Sequence, residues 1–174
     1  QKTRVAVSSD GINFIARKQI VGWPYFKHFS YKGESYGISM PGIIYKNSGD
    51  IDDFTIVNQV MEENTRHSAV MVHGDKLLVF FTRKGDMPER ILLTTIDLKL
   101  PSTQWSTSNS MEVLKPEKEW EGSTLPLYKS EASAINIPSN QLRDPAVYTE
   151  NGRNYLLYSL RGENGIGIVE FVIL

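Results

Sequence analysis

Two stretches of this chain set an arginine beside a second titratable residue at the start of an apolar run, with an acidic loop downstream. The first is Arg66-His67, followed by Gly85-Asp86-Met87-Pro88-Glu89-Arg90. The second is Arg143-Asp144-Pro145, followed by Arg161-Gly162-Glu163-Asn164. Carboxylates interleaved with guanidinium groups stay ionised, because adjacent positive charge lowers their pKa. Such a carboxylate can orient sugar hydroxyls or stabilise an oxocarbenium-like centre. The plainer use of the same residues is as salt bridges and loop caps between packed sheets, and Glu89, Arg90 and Glu163 fit that use well. Asp144 and His67, at the heads of the two runs, are the stronger candidates for chemistry.

A third constellation is Glu119-Trp120-Glu121-Gly122. A carboxyl against an indole wall can have the raised pKa of a general acid, and an exposed indole stacks on sugar rings. The alternative is a Trp buried under a long loop with both Glu side chains solvated. His28, His67 and His73 lack paired-ligand spacing, so no metal site is expected and no cofactor is required. His67 alone, near a channel axis, suits either a hydrated cation such as calcium or an ordinary hydrogen bond. No phosphate-cradling Gly loop, nucleophile elbow or basic–aromatic stripe is present.

The elements that must position these residues are written as a repeat. Laying Arg143 on Arg66 pairs Ala146 with Ala69, Val147 with Val70, Leu157 with Phe80, Tyr158 with Phe81, Gly162 with Gly85 and Glu163 with Asp86. Each copy reads polar head, strand, polar turn, strand, acidic loop, strand. A unit of this kind cannot bury its faces alone and stacks on its neighbours. Strand signals dominate: runs at 4–7, 25–30, 36–40, 43–45, 68–72, 77–82, 90–98, 146–149, 155–160 and 166–173 are apolar or alternating and bounded by hairpin-grade turns. Only the segment 50–64 hints at a helical turn. Ser8-Ser9-Asp10-Gly11-Ile12-Asn13-Phe14 reads as an Asx-type turn closing a hairpin. The expectation is an all-β, antiparallel protein of β-propeller blades, with units near 25–65, 66–116 and 143–174 and a connector at 117–142. In such blades the strand heads share one rim with the loops joining second and third strands. That rim gathers Arg66, His67, Asp86, Glu89, Arg90, Arg143, Asp144 and Glu163.

Composition limits the rest. The 174 residues are 40% hydrophobic and 22% charged, an ordinary globular balance. With 19 basic and 20 acidic residues, neither nucleic acid nor an anionic membrane is an expected partner. Cys is absent, which removes disulfides and thiolate chemistry without choosing a compartment. About three and a half blades fall short of the ~4–8 that close a ring. The expectation is therefore either a longer parent chain, consistent with a start at Gln1 rather than Met, or self-association that completes the ring.

The run Gln141-Leu142-Arg143-Asp144-Pro145-Ala146-Val147-Tyr148, followed by Asn154-Tyr155-Leu156-Leu157-Tyr158-Ser159, resembles the five-bladed propeller superfamily of glycoside hydrolases, with its arabinanase/xylosidase-like and fructosidase/levansucrase-like families. The stretch from Phe26 to Phe171 also resembles bacterial glycosidase-like propellers, through Arg66-His67-Ser68, Gly85 to Ile91 and Glu121-Gly122. The resemblance implies a carbohydrate partner and glycosidic bond hydrolysis. It makes Asp144 the middle, transition-state-stabilising carboxylate, with Arg143 holding it or the substrate. Glu121 is then the remaining candidate acid and Asp86 a candidate base, with Arg66, His67, Trp120 and Glu163 as substrate-binding residues. Two departures stand out. Tyr25-Phe26-Lys27-His28 occupies the place of the family's first acidic residue, and Glu121 precedes Asp144 where the family's acid follows it. The alternative is a non-catalytic propeller that binds a glycan or other ligand, or an assembly scaffold.

Overall fold

The structure is a computed structural model and describes residues 1–173. Strands β1 (Thr3–Val7) and β2 (Ile15–Gly22) form a two-stranded hairpin. Its tip is the expected turn, where Asp10 accepts hydrogen bonds from the backbone N–H groups of Ile12 and Asn13. These bonds hold the exposed Asp10 carboxyl far below its ordinary pKa.

Three antiparallel meanders follow, each in sequence order, which is the up-and-down layout of a propeller blade. The first blade contains β3 (Lys27–Tyr31), β4 (Glu34–Ser39), β5 (Ile43–Asn47) and β6 (Phe54–Gln59). The second contains β7 (Thr65–His73), β8 (Lys76–Arg83), β9 (Ile91–Asp97) and β10 (Met111–Leu114). The third has three strands, β11 (Arg143–Glu150), β12 (Arg153–Ser159) and β13 (Ile166–Phe171). The inner strands β3 and β11 both pack against β7, so the repeated strand heads stand side by side. The helical turn suggested within 50–64 is instead β6, which pairs with β5 and turns Val57 onto the core.

Alternation explains the stacking. In β8, Leu77, Val79 and Phe81 lie on one face and Leu78 and Phe80 on the other, and all are buried. Leu77 and Val79 join Phe29, Tyr36, Ile38, Ile44, Ile96 and Trp105 in the seam between the first two blades. Leu78 and Phe80 join Ile91, Leu142, Leu156 and Tyr158 in the seam with the third. Each fully buried side chain of this size contributes roughly 1.5–3 kcal/mol, so the two seams position everything at the rim. Close backbone approach is needed at Gly37, where a Cβ would sit 2.0 Å from the Phe26 ring.

Candidate functional site at the heads of the inner strands

Both inner strands are interrupted near their heads, within one residue of the same repeat position. Pairing of β7 with β8 slips between Thr65 and Ser68, and pairing of β11 with β12 slips between Arg143 and Ala146. The residues left out of the ladder are Arg66 and His67 in β7 and Asp144 and Pro145 in β11, while Arg143 keeps Ser159 as its partner. At the second bulge Asp144 takes a left-handed φ of 49°, a conformation that Asp tolerates better than most residues.

The two arginines turn inward and meet one carboxylate. Oε2 of Glu89, a residue with no exposed surface, lies 2.9 Å from Nε of Arg143 and 3.2 Å from Nη1 of Arg66. Ser130 donates its hydroxyl to the same oxygen at 2.6 Å. Arg143 donates its Nε–H to Gln141 Oε1 at 2.9 Å, and its Nη1 donates to Glu163 Oε1 at 2.9 Å and to the Ser133 carbonyl at 3.0 Å. Arg66 donates to the Glu131 carbonyl. These buried charges thus tie the second blade, the third blade and the connector together.

Above them opens a cavity of about 650 Å³ bordered by Arg66, His67, Lys84, Asp144 and Glu163. Trp23, Tyr25 and Met40 form one wall, and Ala132, Ser133 and Ala134 another. Nδ1 of His67 lies against Oδ1 of Asp144. The Tyr25 ring, on a residue that also has a left-handed φ, packs on the imidazole with centroids 4.0 Å apart. Ser159 donates its hydroxyl to the other carboxylate oxygen of Asp144 at 3.1 Å. Partial burial raises the Asp144 pKa, but His67, Ser159 and the Arg66 charge outweigh it and hold the carboxyl below its ordinary value. Asp144 is a carboxylate at any ordinary pH.

The expected rim is only partly assembled here. Arg66, His67, Asp144 and Glu163 come together. Arg143 lies one layer below the cavity, engaged by Glu89 and Glu163. Asp86 is not among the lining residues: its backbone pairs with Ser130, and its carboxylate turns towards Arg90, which also meets Glu112. Glu121 and Trp120 border a different cavity, of about 300 Å³, with Tyr158 and Ile168. Trp120 is exposed there, whereas Glu121 is buried. Glu121 lacks the raised pKa expected of a proton donor. Burial pushes it up, but N–H bonds from Glu117 and Lys118 and the Tyr158 hydroxyl together carry it below its ordinary value. It caps a single 3-10 turn, Glu119–Glu121. No group of three or more His, Cys, Asp or Glu among the described residues is arranged to hold a metal ion.

Trp23, Tyr25 and the Ala132-Ser133-Ala134 wall were not anticipated. The signal for the aromatics was available, because Trp23-Pro24-Tyr25-Phe26 precedes β3 at the place where Arg66-His67 opens β7. The connector wall carries no such signal.

No protein-family model matches the chain. It is 33% identical over 180 residues to an uncharacterized protein of Acanthamoeba polyphaga mimivirus, a match covering 93% of this chain and 50% of the viral protein. The chain thus spans about half the length of that relative. Among solved structures it is similar to an alpha-L-arabinofuranosidase from Lactobacillus brevis, with a TM-score of 0.54 and 16% identity over 83% of this chain and 51% of that one. It is also similar to an alpha-L-arabinanase from Cellvibrio cellulosa, with a TM-score of 0.52 and 15% identity over 94% of this chain and 61% of the enzyme. The same arabinanase complexed with arabinohexaose gives 0.56 and 13%. At these identities the likeness establishes the fold: antiparallel propeller blades of the kind found in these glycoside hydrolases.

Proposed function

We propose that this region forms one wall of a carbohydrate site in a glycoside hydrolase-type propeller, with Asp144 as the carboxylate that stays ionised beside the sugar. The observation that carries this reading is the Asp144–His67 pair, set at two adjacent strand heads and open to a cavity of ligand size. Asp144 accepts hydrogen bonds from sugar hydroxyls and stabilises positive charge building at the anomeric carbon. His67 fixes its orientation, and the exposed Trp23 and Tyr25 side chains border the cavity, the Trp23 ring with the Lys2 ammonium over one face. Hydrolysis by the whole protein is part of the proposal, since the chain spans half of its viral relative.

A second reading, binding without cleavage, is favoured by a different observation. Glu121 and Asp86 do not line the cavity and Glu163 is engaged by Arg143, which leaves Asp144 without a proton donor among the described lining carboxylates.

One experiment separates the two. Wild type and Asp144→Asn are assayed on aryl arabinofuranosides, xylosides, fructosides and galactosides, and binding of the corresponding oligosaccharides is measured by calorimetry. Hydrolysis predicts that turnover falls by roughly 10²-fold or more in the variant, with little change in the unfolding curve. Binding without turnover, weakened by the substitution, selects the second reading. Cleavage that is equal in both proteins removes Asp144 from the chemistry.

A further inference from the structure

The crevice between the first and second blades opens at the rim into a separate polar cavity of about 610 Å³ that shares no lining residue with the Asp144 cavity. Phe81, Val60 and Met61 form its apolar lining, and the rest is hydroxyls and amides, chiefly Gln59, Thr94, Ser108 and Asn109. One cation lines it. Arg83, at the end of β8, is half-buried and stacks over the Phe81 ring at 5.3 Å. Its Nη2 donates to Ser110 Oγ at 3.0 Å, while its buried Nε has no hydrogen-bond partner. No carboxylate lies within ion-pair reach of this guanidinium among the described residues, in contrast to Arg66, Arg143, Arg90, Arg17 and Arg153. Glu62 lines the mouth of the cavity but is exposed, so water screens it.

A half-buried guanidinium with a free donor is costly to leave unmatched, and its planar fork is shaped for a carboxylate or phosphate. The surrounding groups are held in place. Thr94 donates its hydroxyl to the Ser108 carbonyl at 2.8 Å, and Thr107 donates its own to the Val60 carbonyl at 3.2 Å, so both blades grip the 107–110 segment. We propose that this crevice is a second ligand site, for a hydroxyl-rich ligand carrying one oxyanion, with Arg83 as the anion anchor and the Thr, Ser, Asn and Gln side chains as the hydroxyl-reading walls. The class is an acidic sugar, its charge supplied by a carboxylate or by a phosphate. This site stands independently of the function proposed for Asp144.

The test titrates the 174-residue chain by calorimetry and NMR with galacturonate, glucose 6-phosphate, galactose and inorganic phosphate. Saturable binding of galacturonate or glucose 6-phosphate, at least about tenfold tighter than galactose, is expected, and the tighter of the two identifies the source of the charge. Arg83→Gln should weaken that binding by about tenfold or more, whereas Asp144→Asn should leave it unchanged. Arg83→Lys retains the charge without the fork, so it reports on the anchor even where the glutamine variant fails to fold, and it should bind several-fold more weakly. Three results overturn the proposal: no saturable binding of either acidic sugar, unchanged affinity in both Arg83 variants, or inorganic phosphate binding as tightly as the sugars.

Discussion

At the head of β7 stand Arg66 and then His67, both within the bulge, and at the head of β11 stand Arg143, still paired with Ser159, and then Asp144 within the bulge. In both copies the arginine turns away from solvent onto Glu89, while the next residue faces the cavity. The first position is thus occupied twice by the same residue type doing the same holding work, and the second by two different residues that meet each other. The backbone differs as well, since Asp144 is left-handed while His67 is not among the residues of positive φ. The two copies share the holding half of the motif and differ in the cavity-facing half, where they form an acid–imidazole pair.

The largest effect that would break this comparison is at its shared point. Glu89→Ala leaves two buried guanidiniums facing each other and should cost about 3–5 kcal/mol in urea unfolding. A loss below about 1 kcal/mol would mean that the arginines do not depend on it. A double-mutant cycle of Arg66→Met and Arg143→Met should then show a coupling of about 0.5–3 kcal/mol, because both act through one oxygen. Strict additivity would separate the two repeats. Glu121→Gln weakens charge-assisted bonds to two backbone N–H groups and to Tyr158, and should cost about 1 kcal/mol. Ligand affinity at the Asp144 cavity should not change, which places Glu121 with the holding residues rather than the reacting ones.

The smallest effect is a matter of pH. The folded-state pKa of Asp144 lies below the unfolded value, so its contribution to stability is complete above the unfolded pKa. That contribution is lost as pH falls through the depressed folded value. Asp144→Asn should therefore lower the neutral plateau slightly and shallow the acid limb, so that the two stability curves converge at low pH. An acid limb identical to wild type would show that the carboxylate gains nothing from His67 and Ser159.

The blade order could be read in the sequence because β3, β4, β5, β7, β8, β9 and the three strands of the last blade carry dense apolar or alternating runs. β2 escaped notice because Arg17-Lys18-Gln19 lies in a strand exposed along most of its length. β10 escaped because it is a four-residue edge strand. Half of the site was visible for the same reason, since the repeat itself superposes Arg66-His67 on Arg143-Asp144. The directions of Asp86, Glu121 and Trp120 leave no mark in the sequence, because they depend on the connector at 117–142, whose path follows hydrogen bonds rather than periodicity. Ser130 fixes the Asp86 backbone, and Glu121 closes its own turn. Neither relation leaves a spacing rule to read.

That connector is mostly exposed, and its buried residues are polar apart from Gly122 and Leu142. It is fastened by the Glu131 and Ser133 carbonyls on the two arginines, by Ser130 on Glu89, and by the Leu142 N–H on the Glu89 carbonyl at 2.9 Å. Lifting it would strip partners from two guanidiniums at once, so it cannot fray residue by residue. It opens only together with the seam between β7 and β11, as one cooperative unit, and the amides of Ser130 and Leu142 should exchange hydrogen at the rate of that seam. The wall of Ala132, Ser133 and Ala134 is held on both arginines through the Glu131 and Ser133 carbonyls, so slow exchange at Ser130 and Leu142 would mean that it stands ready before any ligand arrives.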